Sequence, residues 1–281
     1  MTDDFIQSRQ NPRVKTLIKL REHSARKKLG LFAVEGLREL SRCVEKFGAE
    51  EIYFCPEFFK SPRHAEFIDE VRARRDIALC RLSPNAFDKI SNRQGCDGLI
   101  GIAKQWDCSL ANISLPKNEP PLVLVADAIE KSGNLGAIIR TADSLGAHAI
   151  IITNPVCDIF NPSVIRTSQG AVFSAQIALS DAASCAQWLK QNGIRSFGAH
   201  LKATKNLWDA DFRQPAAIVM GSEKDGLGAE WDDILDEKII IPMSEGLSDS
   251  MNVSAAAAVC IYEALRQKRG EGGASVGGIF K

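Results

Sequence analysis

An apolar run that ends in a polar, glycine-containing loop is the sequence feature that most constrains the fold. Residues 218–220 are apolar, and Gly221, a hydroxyl, a carboxylate, a lysine and Gly226 follow them. This pattern is typical of a buried strand that leads into a loop whose backbone can approach a ligand closely. Residues 239–241 form a second apolar run, and a polar group at residues 250–252 follows it. Two strand ends of this kind predict one site built from several segments.

Apolar runs and helical spacings alternate along the chain, and its 281 residues favour two α/β domains. Successive strand–helix units in residues 121–268 predict a mostly parallel sheet covered on both faces. Strands are predicted there at 121–126, 149–152, 194–199, 216–220 and 238–241, and helices at 134–145, 163–170, 182–192 and 252–268. Residues 1–104 predict a smaller α/β domain with strands at 32–36, 51–55, 77–80 and 98–102, and helices at 37–47, 65–75 and 83–90.

Two segments outside these domains have a different composition. Residues 105–120 contain two prolines, two asparagines and one lysine and show little periodicity, which predicts a linker. Residues 269–281 are glycine-rich, and we expect a flexible tail.

The net charge of zero hides a basic stretch near the N-terminus. Residues 1–107 hold twenty Lys and Arg against sixteen Asp and Glu, and residues 108–281 are acidic by the same margin. Within residues 9–28 there are eight basic residues and one acid, Glu22. Such a stretch is typical of a surface for a polyanion such as RNA. A solvated basic helix without a partner is an equally good interpretation of charge alone.

Several classes of protein and site are disfavoured. No apolar run reaches the length of a membrane span and the N-terminus has no signal-peptide pattern, so we expect a cytoplasmic protein. The eight cysteines form no C-x-x-C pair, so reduced, buried thiols are favoured over a metal site. The Walker loop, the G-x-G-x-x-G fingerprint and the G-x-S-x-G elbow are all absent.

Five polar residues near predicted strand ends are the candidates for chemistry: Asn134, Arg140, Glu223, Ser250 and Asn252. Each also has a structural interpretation. Asn134, Ser250 or Asn252 could cap a helix, Arg140 could pair with a surface acid, and Glu223 could be a solvated loop acid. Their convergence on one sheet edge favours a functional role for the set.

Three motifs resemble those of the SpoU (TrmH-like) RNA 2′-O-ribose methyltransferases, members of the knotted SPOUT class. The motifs are residues 134–146 (NLGAIIRTADSLG), residues 218–227 (IVMGSEKDGL) and residues 239–254, which run from IIIPM to SMNVS. They stand in the family's order within residues 121–268, and Met251 stands where the family usually has leucine. Residues 11–15 and 31–38 resemble, more loosely, the family's L30e-like RNA-binding module.

The resemblance implies a C-terminal α/β trefoil-knot methyltransferase domain at 121–268 and an N-terminal L30e-like α/β RNA-binding domain at 1–104. It implies S-adenosylmethionine as cofactor and a homodimer through the knotted domain, with no metal and no membrane partner. The implied cofactor contacts, largely through backbone groups, are at Thr153, Gly221, Ile241, Met243 and Met251. The basic stretch becomes the expected RNA-binding surface, through Arg9, Arg13, Lys15, Arg26, Lys27 and Lys28.

The implied reaction is methyl transfer to a ribose 2′ oxygen, with Arg140 as the family's catalytic arginine. Because a guanidinium group is effectively never deprotonated in proteins, we expect Arg140 to bind phosphate and orient the ribose. Glu223 is then the alternative proton acceptor, or the group that orients Arg140. We expect Asn134, Ser250 and Asn252 to hold the substrate or the arginine.

Large-subunit ribosomal RNA is the expected substrate, and transfer RNA is the alternative. Two other classes compete with this hypothesis. One is a nucleotide-dependent enzyme of Rossmann type, which the missing fingerprint disfavours. The other is a non-catalytic RNA-binding protein of the same fold, which the retained polar residues disfavour.

Overall fold

The computed structural model describes residues 4–92, 95–244 and 250–269, which cluster into two compact units. The first unit combines residues 1–107 with residues 131–140 and 157–174. The second unit combines residues 108–130, 141–156 and 175–281. Two segments of the predicted C-terminal domain therefore cluster with the N-terminal part of the chain.

A mixed five-stranded sheet forms the centre of the first unit. Its strands are β1 (Asp4–Ile6), β2 (Leu31–Glu35), β3 (Glu51–Phe54), β4 (Ala78–Leu82) and β5 (Leu99–Lys104). The order is β1-β4-β3-β5-β2, in which β1, β4 and β3 are parallel and β5 is antiparallel to both of its neighbours. The predicted strands of residues 1–104 are thus confirmed, and β1 is an additional strand at the edge.

Among the described residues, seven α-helices contribute to the first unit, in whole or in part. They are α1 (Pro12–Lys19), α2 (His23–Leu29), α3 (Leu37–Lys46), α4 (Pro62–Arg74), α5 (Pro84–Ile90), the first nine residues of α6 (Ser132–Ser144), and α7 (Pro162–Thr167). The predicted start of α5 is confirmed, because the Ser83 hydroxyl accepts a hydrogen bond from the Ala86 N–H at 3.3 Å. The basic stretch forms two short helices rather than one.

The segment 157–174 packs into the core of the first unit. The ring of Phe160 lies 5.0 Å from that of Phe32 and 4.6 Å from that of Trp106, between centroids. The Arg26 Nε donates to Asp158 Oδ2 at 2.7 Å. Aromatic contacts and a buried ion pair therefore hold this segment in place.

A seven-stranded, entirely parallel sheet forms the centre of the second unit. Its strands are β6 (Leu122–Asp127), β7 (Ala149–Thr153), β8 (Ile177–Ser180), β9 (Arg195–Ala199), β10 (Lys205–Asn206), β11 (Ala216–Met220) and β12 (Glu237–Ile240), in the order β10-β12-β9-β11-β6-β7-β8. Every residue of β6, β7 and β11 is buried, as expected of central strands covered on both faces. The predicted parallel sheet is confirmed, while β8 and β10 were not predicted.

Helices α8 (Ala182–Gln191) and α9 (Val253–Arg269) belong to the second unit, together with the last four residues of α6. Part of the predicted linker also packs here. Leu110, Ile113 and Leu115 are partly buried against the sheet, and the Leu179 N–H donates to the Cys108 carbonyl at 2.7 Å. The tail at 270–281 and residues 245–249 lie outside the described residues, and the trefoil knot stays a prediction.

Candidate functional site

The carboxyl ends of β6, β7 and β11 lie side by side at one edge of the second unit's sheet. Asp127 ends β6, Thr153 ends β7, and Gly221 follows β11. Within the sheet, β7 and β8 lie on one side of β6. The later strands β9, β11 and β12 lie on the other side of β6, so the strand order reverses at β6. A ligand in a parallel sheet binds beyond the carboxyl ends at such a reversal of strand order.

A buried carboxylate organises the ends of β6 and β7. Asp127 is 2% exposed, and its Oδ1 accepts hydrogen bonds from Thr153 Oγ1 at 2.7 Å and Asn154 Nδ2 at 2.9 Å. The Asn154 amide also donates to Glu230. Ala128 and Asn154 both have positive φ, at 49° and 46°, which is uncommon outside glycine and concentrates at functional sites.

The network decides what the side chain of Thr153 does, while the cofactor contact expected at this position stays a prediction. Its side chain is fully buried and its hydroxyl is committed to Asp127. The Thr153 carbonyl accepts from the Ala128 N–H at 2.9 Å. The side chain therefore stabilises the sheet edge and is not exposed to a cofactor.

The loop after β11 is a tight turn that bonds to itself. The Ser222 N–H donates to the Gly226 carbonyl at 2.9 Å, and the Gly226 N–H donates back at 3.2 Å. A Cβ on Gly221 would lie 2.1 Å from the Gly226 carbonyl carbon and 2.2 Å from the Leu227 nitrogen. The expected close approach at Gly221 is thus to the loop's own backbone.

Glu223 lies half-buried in this loop. Its Oε2 accepts a hydrogen bond from the Glu130 N–H at 3.2 Å, so its carboxylate connects the loop after β11 to the loop after β6. The interpretation as a freely solvated acid is therefore wrong. Lys224, next to it, is exposed.

The segment after β12 brings exposed apolar side chains to the same edge. Ile241 is half-buried, and Met243 and Met251 are 45% and 39% exposed. Ser250 is exposed, whereas Asn252 caps α9: its Oδ1 accepts from the Ser254 N–H at 3.0 Å and from the Ser254 hydroxyl at 2.6 Å. The capping interpretation of Asn252 is confirmed.

The remaining candidates, Asn134 and Arg140, lie on α6 within the first unit. Because α6 begins at Ser132, Asn134 is inside its first turn and is not the N-cap. Arg140 is exposed, and its side chain makes no hydrogen bond or ion pair with any residue that the structure describes. The expected alternative, pairing of Arg140 with a surface acid, is therefore not observed in that part of the chain.

The six predicted RNA contacts fall into two groups. Lys15, Lys27 and Lys28 are exposed, and within the described residues none of the three forms an ion pair. The other three are committed to the protein: Arg9 Nε donates to the Asn85 carbonyl at 2.8 Å, Arg13 pairs with Asp4 and Glu51, and Arg26 is 1% exposed and pairs with Asp158.

Arg26 thus requires a correction. Besides its bond to Asp158, its Nη1 donates to the Leu20 and Arg21 carbonyls at 2.9 and 2.7 Å. A guanidinium group that is buried with these partners is not accessible to RNA. For Arg13, partial burial lowers the pKa, but the hydrogen bonds to Asp4 and Glu51 outweigh it and raise the pKa overall, so the side chain stays charged and paired with these carboxylates.

Neither a membrane span nor a metal cluster is found in the described part of the chain. No helix there is long and apolar enough to cross a membrane. No group of three or more His, Cys, Asp or Glu side chains there could hold a metal ion.

Two family models match the chain. The model of the SpoU rRNA methylase family matches residues 121–262, about half of the chain, and the model of the MRM3-like substrate binding domain matches residues 11–101. The chain belongs to the SpoU rRNA methylase family. This confirms the resemblance predicted from the three motifs, together with the fold class and the enzyme class, an RNA methyltransferase.

Individual relatives agree with this membership. RlmB, the 23S rRNA (guanosine-2′-O-)-methyltransferase of Ralstonia nicotianae, is 30% identical over 75% of this chain and 87% of its own length. An RNA 2′-O ribose methyltransferase of known crystal structure is 33% identical in sequence, with a TM-score of 0.80, over 94% of this chain and 99% of that one. The AdoMet-bound rRNA methyltransferase of Sinorhizobium meliloti is 25% identical with a TM-score of 0.83, over 93% of this chain and 97% of that one. S-adenosylmethionine, the predicted cofactor, is thereby confirmed for the family.

Proposed function

We propose that this chain methylates a ribose 2′-hydroxyl of large-subunit ribosomal RNA, with S-adenosylmethionine as the methyl donor. The observation that carries the proposal is Arg140, an exposed guanidinium group without an acceptor among the described residues, inside a motif shared with the family. A planar guanidinium group binds phosphate through two parallel hydrogen bonds, so an RNA backbone is its natural partner. The name of the Ralstonia relative supports ribosomal over transfer RNA.

The residues at the carboxyl edge of the second unit fit this methyl donor. Ile241, Met243 and Met251 offer apolar surface beyond the end of β12, which suits an adenine ring and a thioether. We propose that these residues and the turn at Gly221 hold the cofactor. Thr153 contributes by stabilising the carboxyl ends of β6 and β7 through its hydrogen bond to Asp127. When bound, S-adenosylmethionine supplies an already activated methyl group.

The chain's own residues then position the ribose and accept its proton. Arg140 binds a substrate phosphate and orients the ribose, because positioning is most of what an activated donor requires. Glu223, held by the Glu130 N–H, either accepts the 2′-hydroxyl proton or orients Arg140. Asn134, Ser250 and the capping residue Asn252 hold the substrate or the arginine.

Two substitutions test these roles. Arg140→Lys keeps the charge but loses the planar fork, so methylation should fall by about 10- to 100-fold with unchanged affinity for S-adenosylmethionine. Glu223→Gln should lower the single-turnover rate and remove the acidic limb of its pH profile if the carboxylate takes the proton. If Glu223 only orients the arginine, RNA affinity falls as well.

Lys224→Gln is the matched control, because Lys224 is an exposed neighbour in the same loop. Its methylation rate should equal that of the wild type. Full turnover in both Arg140→Lys and Glu223→Gln would contradict the proposed mechanism. Mapping of ribose methylation in total RNA, with and without the gene, identifies the substrate: a site lost from transfer RNA would replace ribosomal RNA in the proposal.

The wider organisation of the protein is also proposed. The domains are 1–104 for RNA binding, 105–120 as linker, 121–268 for methyl transfer and 269–281 as tail; the ranges of the two family models support the first and third. Lys15, Lys27 and Lys28 form the RNA surface outside the catalytic domain. A ribosomal RNA substrate supports a cytoplasmic location.

We propose a homodimer through the methyltransferase domain, as the family resemblance implies. Val259 and Tyr262 support this, because they are 39% and 58% exposed on α9. Light scattering coupled to gel filtration gives the mass directly, and Tyr262→Glu should shift the protein toward the 30.7 kDa monomer. A wild-type protein of monomer mass would refute the dimer.

A further inference from the structure

A crevice of about 210 Å³ lies in the first unit, and none of its lining residues is among the candidates discussed above. Four segments of the chain line it. They contribute Arg21 after α1, Glu35 at the end of β2, Asn92 after α5, and Asn161, Ser163 and Arg166 around α7. The lining thus includes two guanidinium groups and two side-chain amides, which can bind a ligand.

Arg21 is fixed in place without losing its charge. Its Nη2 donates to the Ile90 carbonyl at 2.8 Å and to the Lys89 and Ser91 carbonyls at 3.2 Å, at the end of α5. Its Nε and Nη1 have no hydrogen-bond partner among the residues that the structure covers, and no carboxylate there pairs with it. Backbone carbonyls are neutral, so they orient the guanidinium group while its positive charge stays available.

Arg166 supplies the second charge of the crevice. It is exposed at the end of α7, and within residues 4–92, 95–244 and 250–269 its side chain has neither a hydrogen bond nor an ion pair. The one acid of the crevice, Glu35, accepts from the Ser91 hydroxyl at 2.5 Å and from the Asn92 N–H at 3.0 Å. Since two guanidinium groups face one occupied carboxylate, the crevice favours an anion.

The other lining groups suit more than a bare phosphate. The Asn161 Oδ1 caps α7 by accepting from the Ser163 N–H at 2.8 Å, which leaves its amide N–H groups for a ligand. The Asn92 amide and the Ser163 hydroxyl add further donors and acceptors, and Pro162 and Ile165 add apolar surface. Proteins read unpaired nucleotides with this combination of guanidinium groups, amides and apolar surface.

We infer that the crevice binds one unpaired nucleotide of the substrate RNA. Its phosphate is held by Arg21 and Arg166, and its ribose or base edge by Asn92, Asn161 and Ser163. The inference rests on the proposed function, because it assigns a second contact of the same RNA outside the methyl-transfer site. Arg166 is the residue to change, since Arg21 also holds the end of α5 and Asn161 caps α7.

The test compares Arg166→Ala, Arg166→Lys and Arg63→Ala in the full-length protein. Arg63 is an exposed arginine of α4 that pairs with Glu70, so its removal changes the net charge equally and leaves the crevice intact. Affinity for an unmodified large-subunit ribosomal RNA transcript is measured at several salt concentrations. Affinity for S-adenosylmethionine and the methylation rate are measured in parallel.

Arg166→Ala should weaken RNA binding by about 5- to 10-fold and lower the slope of log K against log salt by about 0.7, the value for one phosphate of a single strand. Arg166→Lys should restore the slope but not the full affinity. Arg63→Ala should match the wild type, and all variants should bind S-adenosylmethionine normally.

Three results would overturn the inference, and they differ in what they say of the proposed function. If the wild type methylates the transcript and Arg166→Ala binds it with the affinity and slope of Arg63→Ala, the crevice is not an RNA site and the proposed function stands. If the wild type methylates no RNA, the proposed function fails and the inference fails with it. A loss of affinity without a change in slope would also exclude the phosphate contact.

Discussion

Replacing Arg26 by methionine should destabilise the first unit by about 3–5 kcal/mol, the usual effect of breaking a buried ion pair from one side. The side chain of Arg26 is 1% exposed and that of Asp158 is 12% exposed. Methionine fills much of the same volume but leaves the Asp158 carboxylate without its cation. The Leu20 and Arg21 carbonyls lose their donor as well, and an unsatisfied buried acceptor adds to the effect.

Urea denaturation measures the total loss, and amide hydrogen exchange shows where it occurs. Peptides from residues 157–174 should exchange faster in the variant, because Asp158 is the polar anchor of that segment. The melting temperature should fall by roughly 10 °C, at about 2–4 °C per kcal/mol for a protein of this size. Lys27→Met is the control: Lys27 is the exposed neighbour on α2, and its loss should change stability by less than about 0.5 kcal/mol.

The double variant Arg26→Met/Asp158→Leu separates the two sources of instability. If the unpaired carboxylate is the main cause, the double variant is more stable than Arg26→Met alone. The opposite outcome is equally clear. Should Arg26→Met unfold at the same urea concentration as Lys27→Met and lose RNA affinity instead, Arg26 is an RNA contact, as its place in the basic stretch predicts, and the argument from burial is wrong.

Substitutions at three further positions have defined outcomes. Gly221→Ala should lower stability by about 1–3 kcal/mol and weaken cofactor binding in a calorimetric titration, because its Cβ would meet the backbone of Leu227 at 2.2 Å. Asn252→Ala should lose about 1 kcal/mol in urea denaturation through its cap, whereas Asn252→Asp keeps the cap, so any loss of methylation in the aspartate variant comes from the amide. Burial lowers the pKa of Lys268 from 10.5 to about 8, so between these pH values the unfolded chain binds more protons at this residue and its contribution to stability rises with pH. Urea denaturation across this range should therefore show the stability difference between the wild type and Lys268→Met moving in favour of the wild type as the pH increases.

The parallel sheet could be predicted because the central strands are recognisable from the local sequence alone. β6, β7 and β11 are continuous apolar runs bounded by polar or glycine-containing loops, and all of their residues are buried. β10 has two residues, too few for any pattern, and it is defined only by its pairing with β12. β8 lies at the edge of the sheet and its last two residues are half-buried, so it lacks the continuous buried run of the central strands.

The roles of individual charged and polar residues were less predictable, because their partners are distant in sequence. Arg26 and Lys27 are adjacent and both basic, yet one is buried against Asp158, 132 residues away, and the other is exposed. Thr153 was predicted at the right strand end, but its bond to Asp127 decides that the side chain faces inward. The pattern locates a residue on an element, whereas the tertiary partner decides what its side chain does.

Arg140 and Arg166, whose side chains have no acceptor among the described residues, lie on two helices that pack together. Arg140 lies on α6 and Arg166 on α7, and both belong to the first unit. The helices meet at Gly136, where a Cβ would lie 1.9 Å from Thr167 Oγ1 and 2.8 Å from the Val164 carbonyl, so only glycine permits the contact. The Thr167 hydroxyl donates to the Ser163 carbonyl at 2.7 Å, which fixes the end of α7 beside that contact. An RNA held by both guanidinium groups is therefore positioned by a single packed helix pair, and the distance between its two phosphates is set by the protein before the RNA arrives.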